Sequence, residues 1–431
     1  MQTHVPQDAI YSENSDQPTL AKRVFFLAML VPCILPAEIS STLLAVVFLF
    51  SLSVSTISTG RDFLLLIAPL LLLLLVGLLG ASNHDAYDAG KDAWYLVKSV
   101  WAIGAGYFLM TYIRSLRDIC RAVAAVAIMA ALLHLAYLAV YYQSGMTLYD
   151  VRVEEGVRGY FVVVIGLALM LANSSMREYL GFSEPAYYYL AILVCAASVV
   201  AAMSRTELIA LVLMVAVLKG WLRLSVKRAI ILGLLVAVIG IVLASVAQVV
   251  DQDEMPFVAK LLNSLNELSI EDYDDKGDIN TNWRGFESFI ALATYMNGSE
   301  FEWVFGQGSG TLVDLGFYID LGGNELRYIP MLHNGYMYIL LKFGMVGIVI
   351  YLYFLYALIS AGRGWRGKSK SEWSLAERIV SSLGWLFLFT TMVISGILNK
   401  YELEPAMVLL GAAAAWVNLQ RVAERGQLRA V

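Results

Sequence analysis

The sequence predicts an all-α integral membrane protein with about 12 transmembrane helices, and three observations lead there. Apolar residues make up 59% of the 431 and charged residues 15%, against roughly 45–50% and 25% in soluble domains. Apolar runs near the length of about 20 residues that crosses a bilayer as a helix recur along most of the chain. Basic residues collect in alternate connections between those runs. The first observation excludes a soluble globular domain, and no basic block suggests nucleic acid.

Residues 1–21 are polar, contain Pro6 and Pro18, and read as a disordered tail. They lack the charged start, apolar run and cleavage site of a signal peptide. Spans follow at roughly 24–40, 42–58, 62–80, 94–114, 118–142, 157–174, 186–204, 205–222, 228–248, 335–361, 379–397 and 402–420. Pro32 and Pro36 would bend the first, and the first pair also reads as a re-entrant hairpin. The organisation is therefore a tail (1–21), nine spans (22–248), a loop domain (249–333), three spans (334–420) and a second tail (421–431). Cys33, Cys120 and Cys195 fall inside apolar segments and read as buried small hydrophobes.

Charge sets the orientation. With the N-terminus in the cytoplasm, the inward connections hold Lys22 and Arg23, Arg61, Arg114, Arg117 and Arg121, Arg177, and the Lys219–Arg228 cluster. Arg363–Arg378 and the tail arginines Arg421, Arg425 and Arg429 join them, about 19 of the 30 basic residues, as the positive-inside rule requires. Both termini are then cytoplasmic. The long loop 249–333 lies outside. Asp251 to Asp278 is acidic and reads as a solvated edge. Thr281 or Asn282 would cap a helix carrying Trp283, Phe286, Ile290 and Ala293, stopped near Asn297–Gly298. Glycine-rich turns follow at Gly306–Gly310 and Gly322–Gly323. A loop this long with amphipathic pieces of its own is more often functional than a tether.

Five arginines stay on the outer side against that charge rule: Arg152, Arg158, Arg205, Arg284 and Arg327. A guanidinium fork suits phosphate because it donates two parallel charge-assisted hydrogen bonds. Arg205 sits between two tightly joined apolar segments, where a charge implies a function or an internal partner such as Glu207. Arg284 lies on the loop helix, and Arg152 and Arg158 have Glu154 and Glu155 nearby as surface partners. His333 stands where the loop re-enters the membrane, and a neutral imidazole can take a proton from a sugar hydroxyl. His84 and His134 read as structural. No HExxH, CxxC or carboxylate triad offers a metal site, and no cofactor is expected. The Gly306–Gly310 run follows no strand and reads as a turn rather than a phosphate cradle.

The chain resembles the O-antigen ligase and O-antigen polymerase superfamily of bacterial envelope glycosyltransferases. The family's signature is His, then Asn, Ser or Gln, nine residues, Gly, two residues, and Gly, Thr or Tyr. Here His333-Asn334 is followed by Gly335 through Phe343 and then Gly344-Met345-Val346-Gly347. The likeness spans the chain in topology and is sequence-specific mainly over 282–347. It implies a GT-C-type, metal-independent, inverting transfer of a glycan from undecaprenyl diphosphate to a sugar hydroxyl on lipid A-core or a growing glycan. The reaction would occur at the periplasmic face of the inner membrane, in contact with membrane lipid and polysaccharide export machinery. His333, Arg284 and Arg205 would be catalytic, with Arg158, Arg152, Arg327 and Asn334 on the substrate. The signature leans toward ligase over O-antigen or exopolysaccharide polymerase, and ligation to a protein is a third variant. The rival class is a 12-span transporter or glycolipid flippase. Against it, the two halves show no evident similarity and the elaborate loop is outside.

Overall fold

The computed structural model describes residues 17–53, 57–142, 151, 158–222, 283–320, 325–362 and 372–429. Among the described residues the N-terminal half is built of helices: α1 (Gln17–Ile34), α2 (Ala37–Ser53), α3 (Ile57–Leu78), α4 (Ala86–Ile113), α5 (Leu116–Tyr141), α6 (Phe161–Leu171), α7 (Met176–Leu180), α8 (Pro185–Ala201) and α9 (Arg205–Leu218). After residue 282 come α10 (Trp283–Met296), α11 (Glu300–Phe305), strands β1 (Val313–Asp320) and β2 (Glu325–Ile329), α12 (Gly335–Ala361), α13 (Glu372–Ile394) and α14 (Glu404–Arg429).

Six of these helices are long and apolar enough to cross a bilayer, where the sequence suggests about 12 spans. The difference has local causes. The break expected between the first two spans, 24–40 and 42–58, falls earlier, between α1 and α2, because Pro36 has no amide hydrogen to continue the first helix. α6 has only 11 residues, and α2 and α8 have 17 each. The span expected at 228–248 and the acidic stretch 251–278 lie outside the described residues. At the chain ends helix replaces tail: α1 starts at Gln17, and α14 runs on to Arg429. Pro18 suits a first helical turn, where its missing N–H has no partner to lose.

Packing is closest where side chains are smallest. α4 and α14 form the most extensive helix pair, and reciprocal glycines bring their backbones together. A Cβ on Gly106 would meet the Val408 carbonyl oxygen at 1.8 Å, and one on Gly411 would meet that of Ile103 at 1.9 Å. This is how helices associate in lipid, where apolar burial gives little drive and close backbone contact must supply it.

Contacts between helix ends sort them onto two faces. On the first, Lys22 Nζ of α1 lies 2.8 Å from Asp118 Oδ2 of α5. There too, Arg378 Nη1 of α13 donates to the Leu218 carbonyl of α9 at 3.1 Å. On the second, Ser40 Oγ of α2 donates to Glu404 of α14 at 2.6 Å, joined by Ser41. Lys98 Nζ of α4 reaches the Asn399 carbonyl at 2.8 Å.

The loop elements sit on the second face. α10 starts at Trp283 and ends at Met296, and α11 opens on a capping box made by Ser299 and Glu302. β1 and β2 then pair antiparallel, Val313 with Ile329 and Asp320 with Glu325, with an irregularity between Asp314 and Ile319. The sequence reading has only glycine turns around this hairpin. Its cue was the alternation Val313, Leu315, Phe317, Ile319, with Phe317 packing on Phe286 of α10 at 5.6 Å.

Candidate active site

A cleft of about 250 Å³ opens on the second face. Arg158, Gly159 and Phe161 come from the start of α6, and Ser204, Thr206 and Glu207 from the start of α9. Arg284 comes from α10, His333 from the junction before α12, Ile394 from the end of α13, and Lys400 and Glu402 from the segment before α14. Three permanent cations thus share one cavity with two carboxylates and an imidazole.

Each wall has a local reason. The α8–α9 turn is sharp: Met203 takes a left-handed φ of 49°, and the Ser204 hydroxyl caps α9 by accepting the Glu207 amide at 3.4 Å. Gly159 leaves room for that carboxylate, since a Cβ there would stand 2.5 Å from Glu207 Oε2. Glu402 Oε2 is buried without a hydrogen-bond partner among the described residues.

His333 is held from two sides. Its backbone carbonyl accepts the Ser395 amide at 2.6 Å, and the Ser395 hydroxyl donates to the Leu332 carbonyl beside it. Its Nδ1 lies 2.8 Å from Glu287 Oε2, the same oxygen that accepts the His333 amide at 3.0 Å. The imidazole side chain is 41% exposed while that of Glu287 is 4% exposed. The ring therefore faces the cleft with a sealed carboxylate behind it.

The expected site residues divide. Arg158, Arg284 and His333, far apart in sequence, meet in the cleft. Arg205 opens α9 between two lining residues, Ser204 and Thr206, but is not itself part of the lining. Asn334 caps α12, its side-chain oxygen accepting the Tyr336 and Met337 amides at 3.0 and 3.4 Å. Arg327 pairs across the hairpin with both oxygens of Asp314, at 2.8 and 2.9 Å. That guanidinium, with the Gly316 amide, holds the Asp314 carboxyl down at about 2. Arg152 lies outside the described residues. Of the other histidines, His84 Nε2 binds the Gln307 carbonyl at 2.8 Å and His134 Nδ1 binds Ser198 at 2.9 Å. Among the described residues no group of three His, Cys, Asp or Glu side chains could hold a metal ion.

Sequence reasoning missed Glu287, Lys400 and Glu402. Glu287 carried a usable signal: it stands three residues after Arg284, on the same side of an amphipathic helix. Lys400 and Glu402 lay in a short outer connection that reads as merely acidic.

The helices and the cleft together define a multi-pass membrane protein with an anion-receptive cavity at one end of its bundle. Residues 190–352 match the family model described as O-antigen ligase. That match supports membership of the O-antigen ligase superfamily, the family whose signature His333 opens. The apolar helices and the match together point to a multi-pass bacterial membrane protein, and the match supports a glycan-transfer function of the ligase and polymerase type in general. The matched stretch runs from α8 into α12 and includes Arg205, Arg284 and His333. No curated protein matches the chain.

Proposed function

We propose that this protein transfers a glycan from undecaprenyl diphosphate to a sugar hydroxyl on lipid A-core, at the periplasmic face of the inner membrane. The observation that carries the reading is the meeting of Arg158, Arg284 and Lys400 with His333 in one cleft. A diphosphate leaving group gains negative charge as its bond to the sugar breaks, and fixed cations lower that barrier. His333 takes the proton of the acceptor hydroxyl. The hydroxyl oxygen bonds to the anomeric carbon as the carbon–phosphate oxygen bond breaks, and the diphosphate departs with the electron pair. Attack opposite the leaving group inverts the centre. Arginine and lysine here do the charge-neutralising work that a metal ion would do elsewhere, so the transfer is metal-independent. Arg205, at the cleft's edge, would contact the same diphosphate.

The orientation rests on charge. The face opposite the cleft carries Lys22, Arg23, Arg114, Arg117, Arg121, Arg177 and Arg378, which supports a cytoplasmic assignment for it and for both termini. The greasy flanks of the bundle let a polyprenyl tail remain in lipid while its head group enters the cleft.

Purified protein given undecaprenyl-diphosphate-linked glycan and lipid A-core tests the proposal. Wild type should form the ligated product. His333→Ala and Arg284→Ala should each lose about 100-fold or more. Wild-type rates in both variants would refute the site. Growth of the carrier-linked chain instead of ligation would identify a polymerase.

A further inference from the structure

We infer that Glu287 is a positioning residue that fixes the tautomer of His333, making Nε2 the atom that receives the acceptor's proton. The inference rests on the proposed role of His333 as general base. A carboxylate can only accept hydrogen bonds, so the 2.8 Å contact between Glu287 Oε2 and His333 Nδ1 requires the hydrogen on Nδ1. In the neutral ring the lone pair then belongs to Nε2. The His333 amide donates to the same Oε2 at 3.0 Å, so the carboxylate is locked to the backbone as well as to the ring.

Burial divides the labour. Glu287 is sealed between α10 and the re-entry point, whereas the imidazole is open to the cleft. A sealed carboxylate is costly unless it is hydrogen-bonded, and His333 supplies two donors. When Nε2 gains the acceptor's proton, the positive charge on the ring forms beside a carboxylate already in place, without reorganisation. The other charged groups of the cleft are Arg158 before α6, Glu207 on α9, Arg284 on α10, and Lys400 and Glu402 before α14. It is Glu287 that contacts Nδ1, at 2.8 Å, and so chooses the tautomer.

Two substitutions separate this role from a structural tie. Glu287→Gln keeps an acceptor: because the backbone amide points at the same position, the glutamine carbonyl oxygen must face it, and Nδ1 still donates. Glu287→Leu removes the acceptor altogether, freeing the ring to adopt the Nε2-protonated form. The chain has four histidines, so nitrogen NMR of histidine-labelled protein in nanodiscs can report the His333 tautomer directly. The wild type and Glu287→Gln should show Nδ1 protonated, and Glu287→Leu should show Nε2 protonated. In the transfer assay Glu287→Leu should lose about 100-fold or more in kcat, and Glu287→Gln about 10-fold, with donor KM nearly unchanged in both.

The inference is overturned if wild-type His333 carries its proton on Nε2. It is also overturned if both variants lose activity equally with no change of tautomer, or if Glu287→Leu keeps wild-type kcat. Should Glu287→Leu fail to fold, the tautomer of the wild type and the kcat of Glu287→Gln still decide. A wild type that transfers no glycan would sink the proposed function, while the nitrogen spectra would judge Glu287 independently.

Discussion

Lys342 Nζ and Asp92 Oδ2 lie 2.6 Å apart with both side chains almost completely sealed from solvent. The pair joins the start of α4 to the first turns of α12, nine residues beyond the imidazole in the signature. Nothing about it is left half-made. Asp92 also accepts from the Tyr338 hydroxyl at 2.8 Å and the Gly310 amide at 2.6 Å, and Lys342 donates to the Pro330 carbonyl at 2.8 Å. Helix, glycine turn and the backbone before His333 are therefore tied to one buried charge. Removing one member of such a pair leaves the other buried and uncompensated, at a cost of roughly 3–5 kcal/mol. Lys342→Met should therefore lower the melting temperature in detergent sharply and weaken transfer with it. Asp92→Asn added to Lys342→Met should recover much of the stability, since the stranded charge is then gone. A double variant no more stable than the single one would show that the pair is not the source.

Gly344 is the second anchor of the same junction. Its φ of 65° and ψ of −165° interrupt α12 in a region that essentially only glycine occupies. The irregular turn directs the Leu341 and Lys342 carbonyls to the loop, where they accept the Gln307 and Gly308 amides at 2.9 and 3.1 Å. A Cβ on Gly344 would also stand 2.4 Å from the Val304 carbonyl oxygen. Gly344→Ala should cost about 1–3 kcal/mol from the backbone alone, and thermal unfolding measures it. Transfer should fall too, because α11 and the glycine turn would be pushed off the helix that carries His333.

These two anchors explain how much of the site could be read in advance. The signature from His333 to Gly347 was visible because a histidine at a re-entry point and glycines at fixed distances are chemically unusual. Why Gly344 must be glycine was not visible, since the reason is a carbonyl from α11 that only folding brings near. Arg158 and Arg284, which share the cleft, stood out because the charge pattern assigns them to the outer side, where basic residues are rare. Lys400 stands against the same expectation and escaped notice because two glutamates follow it closely. The count of spans was the weakest part. Hydropathy reads α6 as a crossing segment, yet its 11 residues reach only part of the way and are buried among neighbours. Hydropathy cannot separate a helix facing lipid from one enclosed by other helices.

Arg327 offers a test in the opposite direction. It shares the outward position expected of Arg158 and Arg284, but its guanidinium is committed to Asp314 in an exposed hairpin. Arg327→Ala should therefore leave the transfer rate within about 2-fold of wild type, as surface ion pairs contribute little. The pair itself has a definite pH dependence. Asp314 is depressed to about 2 in the folded chain, against about 3.9 for a free aspartate. Its contribution is thus present above pH ~4 and lost as the pH falls through ~2. Hydrogen exchange of the β1 and β2 amides should quicken over that interval in wild type, and Arg327→Ala should abolish the interval.

Within the cleft, the cations and the imidazole should separate kinetically. Arg158 and Lys400 approach from different segments and meet no part of the His333–Glu287 contact. Their task in the proposed reaction is to hold the diphosphate in both ground and transition states. A charge-assisted hydrogen bond lost from such a site costs about 1.5–3 kcal/mol, or roughly 10- to 100-fold. Arg158→Ala and Lys400→Ala should therefore raise donor KM by that factor, with a smaller fall in kcat. His333→Ala should do the reverse, lowering kcat with little change in donor KM. Glu402→Gln supplies the sign control, because it removes a negative charge from the same wall. It should tighten donor binding, measured as displacement of the donor by undecaprenyl diphosphate. If donor KM stayed at the wild-type value in Arg158→Ala, Lys400→Ala and Glu402→Gln alike, the diphosphate would have to bind somewhere other than this cleft.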